Sequence, residues 1–221
     1  MQNRFFNLSR SITIMRHSES LWNVSGRVQG RSGDPSITLS STGRLAAQSL
    51  LMPKPHVLVS SPLLRCKQTA EAWFDTPFDR LTIQTQVSPN LLEIHAGIYE
   101  GRLIKELQND PLWRHWMDDP ATFPGFPGGE TLAAFQSRVL RGFGEVCAEH
   151  GDTDKHVCVI THGVVMRVLK CFLANQNLAH LWTHQATNLE RIQLSHEQII
   201  KFQQFYKQCS MSDTSVSPKR F

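Results

Sequence analysis

The sequence predicts an α/β fold in which a mostly parallel central sheet carries helices on both faces. Three short apolar runs, at 11–15, 57–59 and 157–160, are rich in β-branched residues, as buried strands are. Stretches with helical periodicity separate these runs, and the clearest of them spans 131–149. Strands that alternate with helices in this way pair in parallel, so we expect a three-layer α/β/α arrangement.

Proline and glycine mark the ends of the elements in the first half of the chain. A helix over 42–52 has one face marked by Leu45 and Met52, and Pro53 ends it. The polar stretch before this helix is rich in glycine and lacks helical periodicity, so it is predicted to be an ordered functional loop. The other elements predicted here are that loop at 23–41, a strand at 56–59, a helix at 62–74 and a strand at 81–85.

The second half is built around the helix at 131–149, which Thr131 is placed to cap. Its apolar residues form one stripe, composed of Leu132, Phe135, Val139, Phe143 and Val146. The other predictions are a loop at 91–101, a small helical and loop insert at 102–129, a strand at 157–160, a helix at 164–173, a closing strand or hairpin within 190–205, and a disordered tail at 209–221. We therefore expect one domain over 1–208.

The composition is that of an ordinary globular protein. Of 221 residues, 40% are apolar and 19% are charged, and the net charge is +4. The positive charge is not gathered into a basic run, so we expect no nucleic-acid partner. No segment approaches about 18 consecutive apolar residues and no signal peptide is indicated, so we expect no membrane association. Five cysteines without a Cys-x-x-Cys pair indicate free thiols and a cytoplasmic location.

Histidine and arginine residues follow three of the predicted strands. Arg16 and His17 come directly after the first strand, Arg65 lies one short turn after the second, and His162 follows the strand at 157–160. The carboxyl ends of parallel strands meet at one edge of a sheet, so these side chains should converge. A neutral imidazole is a competent nucleophile toward phosphorus, and a guanidinium can hold a phosphate by two hydrogen bonds. The pattern predicts a pocket for a phosphate dianion.

Several different short motifs follow one another along the chain between 12 and 169. They are Arg16-His17-Ser18-Glu19, Gly26-Arg27-Val28-Gln29-Gly30, Ser60-Ser61-Pro62-Leu63-Leu64-Arg65, Leu92-Glu93, Tyr99-Glu100-Gly101, Pro127-Gly128-Gly129-Glu130-Thr131 and Thr161-His162-Gly163. In this order they resemble the motifs of the histidine phosphatase superfamily, the group of cofactor-dependent phosphoglycerate mutases and related acid phosphatases. The resemblance implies the phosphoglycerate mutase-like version of the predicted fold.

The resemblance also implies a role for each matching residue. His17 would be the nucleophile that becomes phosphohistidine, and Glu93 would be the acid for the leaving oxygen and then the base for the attacking water. The other three predicted catalytic residues would stabilise charge on the phosphoryl group, and they are Arg16, Arg65 and His162. The predicted substrate-binding residues are Arg16, Asn23, Gln29, Gly30, Arg65 and Gly163. The second carboxylate nearby, Glu100, fits a structural role better.

The chain departs from the family's pattern in two places. Ser18 stands where the family usually has glycine, and its hydroxyl is expected either to be tolerated by the local backbone or to add a donor near the phosphate. The segment between Gly101 and Pro127 is shorter than the mutase insert that clamps a bisphosphorylated acid, and only Arg114 and His115 faintly resemble the basic residues of that clamp. The shortening favours a phosphatase.

We therefore expect a metal-independent phosphomonoesterase that uses no cofactor and acts through phosphohistidine on a small phosphorylated metabolite. Phosphatases of the α-ribazole phosphate type, sugar bisphosphatases and broad-specificity phosphatases share this short layout. A phosphoglycerate-type mutase and a catalytically weak phosphoprotein-binding relative are the alternatives, and homodimer formation stays open. No metal site is predicted, because His180 and His184 have helical spacing but no third ligand accompanies them.

Overall fold

A five-stranded sheet forms the centre of the computed structural model, which describes residues 11–214. The strands lie in the order β3-β2-β4-β1-β5, and all neighbours pair in parallel except β1 and β5, which are antiparallel. The strands are β1 (Ser11–Arg16), β2 (Val57–Ser60), β3 (Gln84–Val87), β4 (His156–Thr161) and β5 (Arg191–Gln193). This arrangement confirms the predicted mostly parallel sheet.

Helices cover both faces of the sheet. Alternate residues of β1 point to opposite sides, so that Ile14 joins a core with Phe135, whereas Met15 joins a second core with Trp73. The first core is formed with the helices that follow β3 along the chain, and the second with α3. The helices are α1 (Leu21–Val24), α2 (Ser41–Gln48), α3 (Leu64–Phe74), α4 (Pro111–Asp118), α5 (Leu132–His150), α6 (Gly163–Leu173) and α7 (His196–Thr214).

Helix α5 forms as its sequence predicts. The Thr131 hydroxyl accepts a hydrogen bond from the Ala134 backbone N–H, which caps the first turn. The predicted apolar stripe is fully in the core, because Leu132, Phe135, Val139, Phe143 and Val146 are all buried. Helix α7 packs closely against α5, and a Cβ atom at Gly144 would lie 2.7 Å from the Cβ of Tyr206. Glycine at this position permits that approach.

The predicted extent and face of α2 are wrong. The helix ends at Gln48 rather than at 52, and Leu45 is exposed, whereas Gly43 and Ala47 are buried. A Cβ at Gly43 would lie 2.1 Å from the backbone oxygen of Glu19, so this face of the helix contacts backbone directly. Small residues mark the buried face here, and a search for large apolar residues therefore selects the opposite face.

Of the closing strand or hairpin predicted within 190–205, only the first strand is present. Residues 191–193 form β5, but 198–205 lie in α7 instead of in the second strand of a hairpin. Ile199 and Phe202, three residues apart, are both buried on the helix side that faces the core. The predicted disorder from 209 is also wrong as far as Thr214, where α7 ends. The rest of that tail lies outside the described residues.

The insert at 102–129 consists of one short α-helix, a 3₁₀ turn and loops. A 3₁₀ turn spans Ile104–Glu106, and α4 begins at Pro111, where Asp110 accepts hydrogen bonds from the N–H groups of Leu112 and Trp113. The Tyr99 hydroxyl donates a 2.8 Å hydrogen bond to the same carboxylate and anchors this helix to the preceding loop. Throughout residues 11–214, no helix combines the length and apolar character that crossing a membrane requires.

Candidate active site

The carboxyl ends of β1, β2 and β4 meet at one edge of the sheet, where a cavity of about 180 Å³ opens. Of the residues that sequence reasoning selected for the site, His162 alone is absent from the cavity wall, because it is fully buried behind it. The remaining eight all line the cavity, namely Arg16, His17, Asn23, Gln29, Gly30, Arg65, Glu93 and Gly163. The predicted convergence of strand ends is therefore present in the fold.

His17 is held as a neutral imidazole with a defined tautomer. Its Nδ1 lies 2.7 Å from the carbonyl oxygen of Ser18. A carbonyl only accepts, so Nδ1 carries the proton and Nε2 keeps its lone pair. Burial lowers the pKa of His17 well below its ordinary value, and the charges of Arg65 and Arg16 lower it further. The ring therefore presents a nucleophilic nitrogen without a proton to lose first.

Arg16 and Arg65 are tied to backbone carbonyls and keep donors in reserve. One terminal nitrogen of Arg65 donates to the carbonyl of Gly30 at 2.8 Å, and one of Arg16 donates to the carbonyl of Ala186. The Nε atoms of both arginines are buried without a hydrogen-bond partner among residues 11–214. Burial lowers the pKa of Arg16 to about 10, so it remains charged at neutral pH. Such donors suit the oxygens of a bound anion.

His162 supports the site from beneath. Its Nε2 lies 2.7 Å from the Ser61 hydroxyl, and its ring meets the ring of His17 edge to face with centroids 5.3 Å apart. Burial lowers the pKa of His162 well below its ordinary value, with Arg65 adding to the effect. Cys66 contacts the same ring but is buried, and burial raises its pKa to about 12, so the expected inert thiol is present.

Glu93 is fixed by the amino end of α6. One carboxylate oxygen accepts a 3.0 Å hydrogen bond from the N–H of Val164, in the first turn of that helix, and the other accepts from the N–H of Ile94. Gly163 starts the same helix directly after β4, so its N–H also lies at the helix amino terminus. The carboxylate is thus held on the cavity wall in one orientation.

The loop that follows β1 supplies the remaining predicted residues. The side-chain oxygen of Asn23 lies 3.0 Å from both the N–H and the hydroxyl of Ser20. These contacts fix the orientation of the amide, with its nitrogen pointing away from Ser20. The Ser20 hydroxyl is also 3.0 Å from the side-chain oxygen of Gln29. Gly30 has a φ of +49°, and a Cβ there would lie 2.2 Å from a Glu100 oxygen. Only glycine fits at this position, and its carbonyl is the one that positions Arg65.

Glu100 has the structural role expected of it. One of its oxygens accepts hydrogen bonds from the backbone N–H groups of Arg31 and Ala96, at 2.8 and 3.0 Å. It therefore joins the loop after β1 to the loop that precedes α4. A second carboxylate, Glu130, binds Arg138 of α5 through two short contacts and also contacts Arg31. Together they fix the loops that carry the cavity wall.

The expected extra donor at Ser18 is absent. The hydroxyl of Ser18 donates to the carbonyl of Gly43 at 2.7 Å, and Ser18 does not line the cavity. Among the described residues, the non-glycine positions with positive φ are Asp75, Asn175 and Leu189. Ser18 is therefore tolerated because its backbone needs no left-handed conformation, and its side chain binds α2 instead of a ligand.

Sequence reasoning missed three polar residues of the site, and one of them, Arg27, lines the cavity from the loop after β1. Arg167 lines the cavity, and its position one helical turn after Gly163 in α6 would have indicated this. Asn188 donates from its amide nitrogen to the carbonyl of His17 at 2.9 Å, which fixes the backbone beside the nucleophile. No local pattern marks Asn188, because it reaches the site through the chain's return along β1.

The far side of the cavity is apolar. Trp113, Trp116 and Phe126 of the insert are buried in the core and also line the cavity. The other apolar residues of this wall include Val28, Ile94, Ile104, Val164 and Trp182. Arg114 and His115 of the same insert do not line the cavity. Within residues 11–214, no three His, Cys, Asp or Glu side chains cluster as metal ligands would.

Comparison with known proteins places this geometry in context. Residues 12–202 match the family described as the histidine phosphatase superfamily (branch 1). Phosphoserine phosphatase 1 of Hydrogenobacter thermophilus is 30% identical over 181 residues, which cover 80% of this chain and 82% of that protein. A protein named "Probable phosphoglycerate mutase GpmB" from Serratia proteamaculans is 28% identical over 163 residues, 72% of each chain. The solved structure of Bacillus stearothermophilus YhfR superposes with a TM-score of 0.72 at 26% identity, covering 84% of this chain and 90% of that one.

The buried histidines predict a loss of stability in mild acid. The pKa values of His17 and His162 are depressed in the folded state, so below about pH 6.5 the unfolded chain binds protons that the folded chain does not. The free energy of unfolding should therefore decrease as pH falls from 6.5 to 5, each histidine contributing a slope that approaches about 1.4 kcal/mol per pH unit.

Urea titrations of wild type and His17→Asn at several pH values would measure this slope. The asparagine amide can replace Nδ1–H as a donor to Ser18 but does not titrate, so the variant should have the smaller slope. Exposed His180→Asn is the matched control and should leave the slope unchanged. Equal slopes for wild type and His17→Asn would contradict the buried neutral imidazole.

Proposed function

The chain belongs to the histidine phosphatase superfamily, branch 1, and from this premise we propose that it is a metal-independent phosphomonoesterase acting through a phosphohistidine intermediate. The state of His17 carries the proposal. Its free Nε2 and fixed Nδ1–H, between two charged guanidinium groups, suit attack on a phosphoryl group. Its substrate is a small phosphorylated metabolite. The candidates are phosphoserine, which the name of one relative specifies, an α-ribazole phosphate, sugar phosphates and a broad set of esters.

In the first step, Nε2 of His17 attacks phosphorus and the bond from phosphorus to the ester oxygen breaks. The arginines donate to the non-bridging oxygens, where negative charge must be stabilised in the transition state. Buried Nε–H groups on Arg16 and Arg65 are suitable donors, and Asn23 and the Gly163 N–H add neutral ones. Glu93 gives its proton to the leaving oxygen, so an alcohol departs and the phosphohistidine stays.

In the second step, water replaces the alcohol at the same place. Glu93, now ionised, takes a proton from the water as it attacks phosphorus, and the bond from phosphorus to Nε2 breaks. Inorganic phosphate leaves, Glu93 is again protonated, and His17 is neutral as at the start. His162, through its hydrogen bond to Ser61 and its contact with the His17 ring, holds the nucleophile in position. Fixed guanidinium charge does the work for which other phosphatases use metal ions.

Hydrolysis is favoured over mutase activity by the shape of the insert. In the mutases that the chain resembles, a longer insert with additional basic residues clamps a bisphosphorylated acid. Arg114 and His115, the residues of the insert that resemble such a clamp, lie away from the cavity, and its wall there is aromatic. Because a relative carries a mutase name, stimulation by 2,3-bisphosphoglycerate remains the assay that would reverse this assignment.

A phosphoprotein-binding role without turnover is the second alternative. It would need the phosphate-binding residues but not the acid that protonates a leaving oxygen. Glu93 is nevertheless retained on the cavity wall and fixed by two backbone N–H groups, which favours catalysis over binding alone. Retention of phosphopeptides without phosphate release would support the binding role instead.

Replacement of the nucleophile should abolish the reaction. We expect His17→Ala to lower the rate of phosphate release by about a thousandfold or more, since the residues of a covalent mechanism act as a unit. When wild type is incubated with a labelled substrate and briefly quenched in acid, the protein should carry labelled phosphate. This label should be lost on longer exposure to acid and kept in base, as is typical of phosphohistidine. Exposed His180→Ala is the control and should retain full activity. Turnover in His17→Ala within tenfold of wild type would exclude covalent catalysis.

The role of Glu93 can be tested with two leaving groups. An alkoxide must be protonated as it leaves, whereas nitrophenolate needs little help, so Glu93→Gln should lose about 10²- to 10⁴-fold on an alkyl phosphate and far less on p-nitrophenyl phosphate. Steady-state kinetics on both esters measure the difference, with exposed Glu106→Gln as the matched control. Equal losses on the two esters would remove Glu93 from the role of the acid.

Chelation tests the source of the positive charge. Since Arg16 and Arg65 supply it in the proposed mechanism, dialysis against EDTA should leave kcat and KM unchanged, and added magnesium or zinc should not raise them. Phosphate release before and after dialysis is the measurement. Activity that disappears on chelation and returns with either metal would identify a metal-dependent phosphatase and overturn the proposal.

A further inference from the structure

Arg167 is a cation on the cavity wall that neither step of the proposed mechanism uses. We propose that Arg167 binds a carboxylate of the leaving group. It would thereby select phosphate monoesters in which the carbon next to the ester carbon bears a carboxylate. This inference rests on the proposed function, since it concerns the leaving-group side of the same cavity. It adds a substrate class to a reaction that would otherwise accept any small ester.

The guanidinium of Arg167 is held in position by two contacts. Its Nε donates to the carbonyl of His184 at 3.0 Å, and its Cζ lies 4.9 Å from the centre of the Trp182 ring. A Cβ atom at Gly163 would lie 3.4 Å from Nη1 of Arg167 and 3.4 Å from Nε of Arg16. The two guanidinium groups therefore flank one point at the start of α6, and the absent side chain of Gly163 leaves that point open.

The terminal nitrogens of Arg167 are available to a ligand. Within residues 11–214 they form no hydrogen bond and no ion pair. The hydrogen bond that this side chain does form is made by Nε. Burial lowers the pKa of Arg167, and the nearby carboxylates of Glu93 and Glu190 act in the opposite direction. A half-buried guanidinium without a directly bonded anion gains most from a partner that pairs with both terminal nitrogens.

The position of Arg167 relative to Glu93 identifies which part of a substrate it would meet. Val164, one residue into α6, binds the Glu93 carboxylate, and Arg167 lies one turn further along the same helix. Glu93 protonates the leaving oxygen in the proposed mechanism, so a group carried on the neighbouring carbon would face Arg167. A phosphoryl group on His17 has Arg16 and Arg65 as donors, and Arg167, whose Nη1 lies beside the same open point as Nε of Arg16, is placed at the border between that group and the leaving group.

The rest of this wall favours a carboxylate over a second phosphate. Trp113, Trp116 and Phe126 are apolar, and Arg27 is exposed and donates to the carbonyl of Gly101. A phosphate dianion on this side would meet one half-buried cation, Arg167, and one exposed cation, Arg27, whose charge water screens, together with aromatic surface in a cavity of about 180 Å³. A carboxylate, with one charge and two oxygens, matches the two terminal nitrogens of a single arginine.

Two esters that differ only by the carboxylate provide the test. O-phosphoserine and phosphoethanolamine share the phosphate, the ester carbon and the ammonium group. We expect wild type to prefer O-phosphoserine by about 10- to 100-fold in kcat/KM, and Arg167→Met to reduce that ratio to about threefold or less. Methionine keeps an unbranched apolar side chain against Trp182, and Arg44→Met on the exposed side of α2 is the matched control, which should keep the wild-type ratio.

Arg167→Lys adds a variant that keeps the charge but lacks the planar pair of donors, and it should retain part of the preference. If Arg167→Met instead lowers kcat/KM equally on both esters, Arg167 serves the transferred phosphoryl group and the proposal is overturned. Absence of a preference in wild type would overturn it directly.

Binding separates this inference from the proposed function. Titration calorimetry with the His17→Ala protein, which should not turn over, measures the dissociation constants of the same two esters. Tighter binding of O-phosphoserine that Arg167→Met removes in this background supports the carboxylate site, whatever the reaction. Wild type that hydrolyses neither these two esters nor p-nitrophenyl phosphate would reject the proposed function, whereas equal dissociation constants for the two esters would reject the role of Arg167.

Discussion

Positive charge gathered at the carboxyl edge of the sheet is the constraint to which the rest of the site conforms. Arg16, Arg65 and Arg167 lower one another's pKa or that of the neighbouring histidines, and their burial removes the water that would screen them. Two consequences follow. The histidines among them are neutral, which is the state that a nucleophile needs. Each guanidinium also requires a fixed acceptor, and each donates to a backbone carbonyl from a part of the chain far from its own.

Those carbonyls explain why irregular segments occupy so much of this end of the molecule. A carbonyl can hold an arginine only if its own loop is rigid, and side-chain carboxylates supply that rigidity. Glu100 ties the loop after β1 to the loop before α4, and Glu130 ties both to α5 through Arg138. Gly30 can approach Glu100 closely because it has no side chain. The loops therefore do more than connect elements, because their backbone carbonyls hold the arginines in position.

The sequence predicts those features that depend on local pattern. The parallel sheet, α5 with its capping Thr131, and the convergence of His17, Arg65 and His162 follow from periodicity and from the residues that end each strand. The errors have a common physical cause. The buried face of α2 is set by contact with the backbone of Glu19, and the course of α7 is set by packing against α5, so both depend on neighbours distant in sequence. Asn188 reaches His17 for the same reason.

The two halves of the cavity come from different parts of the chain. The phosphoryl half is built at strand ends and shares its residues with the core of the sheet, as His162 and Ser61 illustrate. The aromatic half is built by the insert around α4 and by the turn that contains Trp182. In the proposed reaction, substitutions in the insert would therefore change which alcohol is accepted while His17 and its arginines stay in place. In such a division, separate segments carry the phosphate pocket and the apolar wall, and the insert is the segment to exchange when a new substrate is sought.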